Sequence, residues 1–277
     1  MSIGIGLRVV IEAVLSCVVT MRTDAAEQVD SYFICATPRT GSSLLLGLLE
    51  SAGVAGRPQA YFRAPDESLW ADRWQIPRSD QRGFDYADYV QAALAAGRTE
   101  NGVFGAKLMW GTLDEVVEKL ARVYPDLGGQ DMALLSRAFG RTRFVYLRRE
   151  DVLAQAVSWL RAEQTDTWYI GGNGEIGGNG GRGQLPGFDA ARIGELVQII
   201  DEHNVAWDAW FASCGIDPLR VRYEELDADM AGVTEGILTF LGLKSPEGRA
   251  IAPRHKRQAD ELNNQWIERY RAESAQH

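Results

Sequence analysis

The chain has 277 residues, of which 45% are hydrophobic and 24% are charged, as is typical of a soluble globular protein. Its formal net charge of −9, with no strongly basic stretch to offset it, disfavours nonspecific nucleic-acid binding. The three Cys and three His lack close metal-ligand spacing, so we expect no metal site and a reduced, cytoplasmic location.

Residues 1–20 precede the first regular pattern of the chain. They contain an apolar run, but Glu12 interrupts it, and the run is too short to span a bilayer comfortably. Met21 lies a few residues before the first predicted strand, as an authentic start would. We therefore interpret residues 1–20 as a nonessential extension or a misassigned start, without stable membrane insertion, and residues 21–277 as a single domain.

Residues 31–46 combine a strand, a tight loop and a helix. Residues 32–36 form an apolar run typical of a buried parallel strand. A turn with Pro38 and Gly41 follows, and Ser42 is a favourable residue for a helix N-terminus. The apolar face of this helix is predicted from helical spacing of Leu44, Leu45, Leu48 and Leu49. Such an arrangement directs backbone N–H groups and a positive helix end at one point, which predicts an anion site.

The loop differs from the phosphate loop of nucleotide hydrolases, G-x-x-x-x-G-K-[ST]. In the same register Ala36 replaces the first Gly and Ser42 replaces the Lys, whereas Gly41 is retained. Without that Lys, hydrolysis of Mg-ATP is disfavoured. Arg39 supplies a planar cation within the loop instead, which suits a phosphate or sulfate group. An ordinary strand-to-helix turn with a surface Arg is the simpler alternative.

The rest of the chain alternates between short apolar strands and helices. Residues 63–82 contain Trp70 and Trp74 without a clear period and are predicted to form a peripheral loop or short helical turns. This alternation predicts a three-layer α/β fold with a mainly parallel sheet. The predicted strands are 102–110, 143–147 and 219–223, and the predicted helices are 84–96, 113–124, 152–163, 193–211, 230–241 and 260–273.

Two further cationic positions follow predicted strands. Lys107 lies near the end of one strand, where it either contacts a sulfonate or a substrate or is an ordinary surface Lys. Arg148 and Arg149 end another, and the next helix carries Gln155 and Ser158 on one face, which suggests a second anion site. Pairing of these Arg residues with nearby carboxylates is the alternative.

Residues 171–183 form the one low-complexity stretch. Eight of these thirteen residues are Gly, so ordering the stretch would cost much conformational entropy for little burial. We predict a mobile surface loop. No strand precedes it, so its glycines do not indicate a phosphate loop.

Taken together, these stretches resemble the sulfotransferase family, whose P-loop NTPase-like fold binds 3′-phosphoadenosine 5′-phosphosulfate (PAPS). Residues 37–43 look like its 5′-phosphosulfate loop, and Arg149 with Ser158 looks like its 3′-phosphate site, although Arg148 leaves the register open. Similarity to a bacterial carbohydrate-sulfating branch extends from about residue 31 to 272. It includes residues 53–59, 105–110, 155–158, 164–168 and 257–260.

The resemblance implies roles for individual residues, transfer of a sulfuryl group to a carbohydrate such as trehalose or a related glycoconjugate, no metal, and a homodimer. Arg39 and Lys107 are the implied catalytic residues. The implied cofactor-binding residues are Thr37, Pro38, Arg39, Thr40, Gly41, Ser42, Ser43, Arg149, Ser158, Arg257 and Gln258. The implied substrate-binding residues are Gln59, Tyr61, Trp110 and Gln164.

One position departs from the resemblance. In the carbohydrate-sulfating branch that this chain resembles, Pro-Gln is followed by a Glu that is proposed as the general base. This chain has Ala60 there, whose methyl group accepts no proton. Asp66 and Glu67 are carboxylates a few residues downstream. The departure leaves open a catalytically silent homologue that binds PAPS or a sugar, and the fold also permits a kinase that needs Mg and ATP.

Overall fold

The computed structural model describes residues 28–79, 83–170, 176–177, 185–246, 248, 250–253 and 261–275. The expected extension 1–20, most of the predicted Gly-rich loop 171–183, and Arg257 with Gln258 lie outside these described residues.

A sheet of four parallel strands forms the centre of the molecule, in the order β4-β1-β5-β8. The strands are β1 Ser31–Ala36, β4 Phe104–Met109, β5 Thr142–Arg148 and β8 Leu219–Arg222. All six residues of β1 are buried, because this strand is central and both of its faces are covered. Two small antiparallel pairs accompany the sheet: β2 Arg78–Ser79 with β3 Gly83–Phe84, and β6 Tyr169–Ile170 with β7 Ile176–Gly177.

Ten α-helices are present in the described part of the chain. They are α1 Ser42–Ala52, α2 Ala64–Arg73, α3 Tyr86–Gly97, α4 Thr112–Val123, α5 Asp131–Phe139, α6 Val152–Thr165, α7 Ala190–Ser213, α8 Tyr223–Ala228, α9 Met230–Phe240 and α10 Glu261–Ser274. No helix among these described residues is both long and apolar enough to cross a membrane.

The two faces of the sheet bury separate hydrophobic clusters, because successive residues of a strand point to opposite sides. Phe33 and Cys35 of β1 face a cluster built with α3, α4, α5 and α7. Tyr32 and Ile34 face the other cluster, where Leu45 of α1 is fully buried. Full burial of one such side chain contributes about 1.5–3 kcal/mol. The predicted three-layer α/β fold with a parallel sheet is confirmed.

Three helices, α2, α5 and α8, were not predicted from the sequence. Residues 64–73 were expected to be loop or short turns but form α2, which begins with Pro65 in its first turn and buries only Glu67 and Ala71. A helix with so narrow an apolar stripe has no clear hydrophobic period. Asp131–Phe139 forms α5.

Two predicted boundaries also differ from the structure. The last strand was expected to reach Tyr223, but it ends at Arg222, and Tyr223 begins α8. The expectation that no strand precedes the Gly-rich stretch is wrong, because Tyr169–Ile170 (β6) lies directly before it and pairs with Ile176–Gly177 (β7) within it.

Parallel strands bring their carboxyl ends to one edge of the sheet, where ligands bind in open α/β folds. The register pairs Ala36 at the end of β1 with Met109 at the end of β4. It also pairs Arg148 of β5 with Arg222 of β8. The loop after β1, the end of β4 and the two Arg residues after β5 therefore lie along the same edge.

Candidate active site

The loop between β1 and α1 has two residues with left-handed backbone. Arg39 has φ 66° and Gly41 has φ 82°, and the latter is the N-cap of α1 without a side chain that caps the helix. The Leu45 N–H donates to the Gly41 carbonyl at 3.1 Å, which closes the first turn. The first N–H groups of α1 are therefore turned toward the loop with the positive end of the helix dipole, as an anion requires.

Gly41 is also required because the Tyr223 side chain leaves no room for a Cβ at this position. A Cβ at this position would lie 2.5 Å from Cδ2 of Tyr223, the first residue of α8. The guanidinium of Arg149 lies 4.7 Å from the centre of the same Tyr223 ring. Tyr223 thus fixes both the loop and one of the predicted anion ligands. No sequence signal singled it out, because its role comes from the pairing of β8 with β5.

Arg39 reaches across from the loop to α6. Its Nε donates a hydrogen bond to Ser158 Oγ at 3.0 Å, and its Nη1 donates to the Trp168 carbonyl. Burial, followed by the positive charges of Arg149 and Arg161, lowers the pKa of Arg39 to about 10. The structure therefore joins the two predicted anion sites, because Arg39 of the loop donates to the hydroxyl of Ser158, a residue of the predicted 3′-phosphate site.

Gln155 fastens α6 to the loop. This fully buried amide donates from Nε2 to Thr37 Oγ1 at 2.8 Å and to the Pro38 carbonyl at 2.6 Å. Thr40 Oγ1 donates to the Thr37 carbonyl at 3.0 Å, which closes the turn internally. The prediction that Gln155 and Ser158 share one face of a helix is confirmed. Thr37 and Pro38 accept the hydrogen bonds from Gln155 of α6. Ser42 and Ser43 are the first two residues of α1.

Arg148 and Arg149 occupy different surroundings. Arg148 Nη1 lies 3.4 Å from an oxygen of Asp208. The Nε of Arg149 is buried and has no hydrogen-bond partner among the described residues, and its charge acts on Arg39. A buried donor without a partner is costly unless a ligand supplies one. Of the two candidates for the second anion site, the structure thus directs Arg149 toward the loop.

Arg161 is a third guanidinium near Arg39, and sequence reasoning missed it. It follows Ser158 by three residues on α6, so the two side chains share a helix face. Its Nη1 donates to Asn263 Oδ1 of α10 at 2.6 Å. The spacing of Gln155, Ser158 and Arg161 by three residues was the signal available in the sequence.

Lys107 lies in β4, next to the central strand and opposite Ile34. Burial, followed by the positive charges of Arg63 and Arg39, lowers the pKa of Lys107 to about 8, and Asp66 opposes this shift. The ammonium therefore lies within electrostatic reach of the loop cation. Of the two predicted alternatives, the structure disfavours an ordinary surface Lys.

The four predicted substrate-binding residues do not share one location. Gln59 lies beside Lys107, whose N–H donates to the Gln59 carbonyl at 2.9 Å. The Trp110 ring meets Trp207 edge-to-face at 5.1 Å, and the Trp207 indole N–H donates to the Ala36 carbonyl at 3.2 Å. Both residues are therefore near the carboxyl edge of the sheet.

Tyr61 and Gln164 have internal contacts instead. Tyr61 is only 3% exposed, its ring stacks on Phe104 at 5.7 Å, and its hydroxyl donates to the Arg57 carbonyl at 2.6 Å. The Gln164 side chain exchanges two hydrogen bonds, of 2.9 and 2.8 Å, with the backbone of Gly187. Tyr61 thus packs in the core, and Gln164 links the end of α6 to the backbone of Gly187. The described contacts bring neither residue to the loop.

The assembled site consists of a helix N-terminus, three guanidinium groups, a hydroxyl and an ammonium on one edge of the sheet. Such a donor set suits a ligand with several negative charges, because Arg binds phosphate and sulfate oxygens with two parallel hydrogen bonds. Within the described residues, no three His, Cys, Asp or Glu side chains are grouped to hold a metal ion.

Comparison with known proteins identifies the family. Residues 31–273 match the family model for Stf0 sulphotransferase. The chain belongs to the Stf0 sulphotransferase family. Membership of this family supports an enzyme that transfers sulfate. A trehalose 2-sulfotransferase of Mycobacterium tuberculosis (strain Erdman) is 31% identical over 265 residues, covering 88% of this chain and 95% of the relative. A trehalose 2-sulfotransferase of Mycolicibacterium smegmatis is 30% identical over 268 residues, with the same coverage.

Proposed function

We propose that the protein transfers a sulfuryl group from PAPS to a hydroxyl of a carbohydrate, with trehalose or a related glycoconjugate as the acceptor. The observation that carries this proposal is the contact between Arg39 and Ser158, which joins the loop cation to a second cationic cluster. PAPS carries two separate anionic groups on its ribose, a phosphosulfate on the 5′ oxygen and a phosphate on the 3′ oxygen. A site with two connected anion-binding regions fits such a ligand better than a site with one.

The residues fit the two anionic groups separately. The N–H groups of residues 40–43 and the Ser42 and Ser43 hydroxyls would hold the 5′-phosphosulfate at the start of α1. Ser158 and Arg149 would hold the 3′-phosphate, since the buried Arg149 Nε lacks a hydrogen-bond partner within the described structure. The 3′-phosphate contacts would distinguish this ligand from ATP.

Catalysis would depend on two cations. PAPS, when bound, supplies a sulfuryl group already attached to a good leaving group. Arg39 is held in the loop and stabilises the negative charge that develops on the departing phosphate oxygen. Lys107 approaches from β4, and its ammonium stabilises charge on the sulfuryl oxygens. Fixed donors of this kind accelerate transfer because they need no reorganisation during the reaction.

A catalytically silent homologue is the second candidate. It is favoured by Ala60, because a methyl group replaces a carboxylate that would accept the proton of the acceptor. A kinase is less well supported, since Ser42 stands where the phosphate loop of nucleotide hydrolases has Lys.

The distinguishing experiment incubates the purified protein with PAPS and a panel of disaccharides that includes trehalose, sucrose, maltose and lactose. Sulfated product is measured by mass spectrometry. We expect product with trehalose and a rate about 10²–10³-fold lower for Arg39→Ala, as for removal of an oxyanion-hole donor. Binding of the desulfated nucleotide without product on any sugar would instead establish the silent homologue.

We further infer that the protein acts in the cytoplasm as a homodimer. Family resemblance supports the dimer, and the unpaired buried Cys35 supports a reducing compartment. Sedimentation equilibrium at micromolar concentration is expected to give twice the mass of the chain. A single-chain mass would overturn the dimer.

A further inference from the structure

The acceptor hydroxyl must lose a proton when its oxygen attacks sulfur, and Ala60 offers no group to take it. Two carboxylates, Asp66 and Glu67, lie in the first turn of α2, directly after the segment that contains Ala60. These two carboxylates differ in burial and in their ion-pair partners.

Glu67 is committed to the core. Its residue is 6% exposed, and both of its carboxylate oxygens accept hydrogen bonds from Lys119 Nζ of α4, at 2.8 and 2.7 Å. The Lys119 ammonium also lies 5.4 Å from the Tyr86 ring centre. Burial raises the pKa of Glu67, and the hydrogen bond from Lys119 opposes this shift. Removing the Glu67 carboxylate from this ion pair would leave the partly buried Lys119 ammonium unpaired, so Glu67 is not available to an acceptor.

Asp66 is held close to position 60 by two consecutive turns. The Arg63 N–H donates to the Ala60 carbonyl at 3.3 Å, and the Asp66 N–H donates to the Arg63 carbonyl at 2.8 Å. Arg63 Nη1 donates to both Asp66 oxygens, at 2.9 and 3.0 Å. The Asp66 side chain is 34% exposed. It is therefore oriented by an ion pair and remains accessible to solvent and to a ligand.

The same segment borders Lys107. The Lys107 N–H donates to the Gln59 carbonyl at 2.9 Å, so β4 lies alongside the residues just before Ala60. The charges of Arg63 and Asp66 both act on the Lys107 ammonium, as does that of Arg39. Asp66 is thus a carboxylate within electrostatic reach of Lys107, one of the two cations proposed to act in catalysis.

We propose that Asp66 is the general base of the transfer reaction, oriented by Arg63 in place of a carboxylate at position 60. The inference rests on the proposed function. In the step, the acceptor oxygen forms a bond to sulfur while the bond from sulfur to the phosphate oxygen breaks. The acceptor proton passes to an Asp66 oxygen, and the leaving phosphate keeps the electron pair of the broken bond.

The test compares Asp66→Asn with Asp72→Asn as a matched control. Asp72 lies on the same helix and pairs with Arg78 at 2.7 Å. Its replacement therefore removes an Arg–Asp pair of the same kind whose carboxylate, unlike that of Asp66, is not among the charges that act on Lys107. We measure kcat and KM with PAPS and trehalose, and binding of 3′-phosphoadenosine 5′-phosphate by calorimetry. Asp66→Asn is expected to lower kcat about 10²–10³-fold, as for loss of a general base, with nucleotide affinity unchanged. Asp72→Asn is expected to retain wild-type kcat.

A second variant tests whether a carboxylate at position 60 can replace Asp66 as the acceptor of the hydroxyl proton. Asp66→Asn combined with Ala60→Glu is expected to recover at least about tenfold in kcat over Asp66→Asn, because a carboxylate returns to the acceptor. The proposal is overturned if Asp66→Asn keeps kcat within about threefold of wild type, if it loses nucleotide affinity, or if the double variant recovers nothing. A wild-type protein that forms no sulfated sugar would overturn the proposed function itself, which is a separate result.

Discussion

At the scale of single residues, neighbouring Arg residues have different tasks. Arg148 is paired with Asp208 and lies beside the Tyr146 ring, 6.0 Å from its centre. Arg149 lies against Tyr223 with its Nε buried and unpaired within the described residues. Adjacent side chains at the end of a strand point in opposite directions, which places one in an ion pair and the other at the loop.

This difference predicts a selective effect on nucleotide binding. Arg149→Ala should weaken binding of 3′-phosphoadenosine 5′-phosphate about 10–100-fold, because it removes hydrogen bonds to a charged group. Arg148→Ala should leave that affinity unchanged. Binding of adenosine 5′-monophosphate, which lacks the 3′-phosphate, should respond to neither variant. Calorimetry with the two nucleotides measures this, and equal losses for both would contradict the assigned ligand.

Lys107 predicts a pH dependence. Its lowered pKa of about 8 means that the ammonium is charged below this pH and neutral above it. A rate that needs the charge is therefore present at lower pH and falls as pH rises through about 8. In Lys107→Arg the guanidinium stays charged, so this decline should disappear even if the rate is lower. The measurement is kcat/KM for PAPS from about pH 6.5 to 9.5, which reports groups of the free enzyme. An unchanged decline in Lys107→Arg would exclude this residue as its origin.

At the scale of elements, α6 and α1 build the site together. The buried amide of Gln155 joins α6 to the loop, and Gly41 allows the loop to turn into α1 beneath Tyr223. The geometry of the loop therefore depends on its contacts with α6 and α8, which are far from it in sequence.

Gly41 and Gly111 form a natural comparison for this element. Both are helix N-caps with positive φ, of 82° and 86°, but a Cβ at Gly111 would meet nothing within 4 Å. Gly111→Ala should cost about 1–3 kcal/mol from backbone strain alone, because φ 86° with ψ −40° is sparsely populated by residues with a Cβ. Gly41→Ala should cost about 1–3 kcal/mol more because the Cβ overlaps Tyr223, and it should also weaken nucleotide binding. Denaturant unfolding and calorimetry measure the two effects, and equal stability losses would show that the contact with Tyr223 is unimportant.

The sequence predicted those elements whose pattern is local. The strand, loop and helix of residues 31–46 carry their own hydrophobic period and turn residues, and the shared face of Gln155 and Ser158 follows from helix geometry. By contrast, α2 buries too few residues to show a period. Tyr223 and the Arg63–Asp66 pair come near the loop and Lys107 through strand pairing and chain packing, which no local pattern specifies. Arg161 differs, because its three-residue spacing from Ser158 on α6 was a local signal.

At the scale of the whole molecule, the parallel sheet explains why distant segments meet. Loop 37–43, Lys107 and Arg149 come from three different strands, whose carboxyl ends lie at one edge. Order β4-β1-β5-β8 places the loop strand between the other two. The sulfate transfer proposed above is assigned to this edge because the three cationic segments meet there.

The central claim is that this site binds a 3′-phosphorylated nucleotide. Isothermal titration of the wild-type protein and of Arg39→Ala with 3′-phosphoadenosine 5′-phosphate, beside ATP with Mg, tests it most directly. We expect the wild type to bind the 3′-phosphorylated nucleotide at least about tenfold more tightly than ATP, because both of its anionic groups meet Arg residues, and Arg39→Ala to lose most of this affinity. Equal or tighter binding of ATP would contradict the account and favour a kinase.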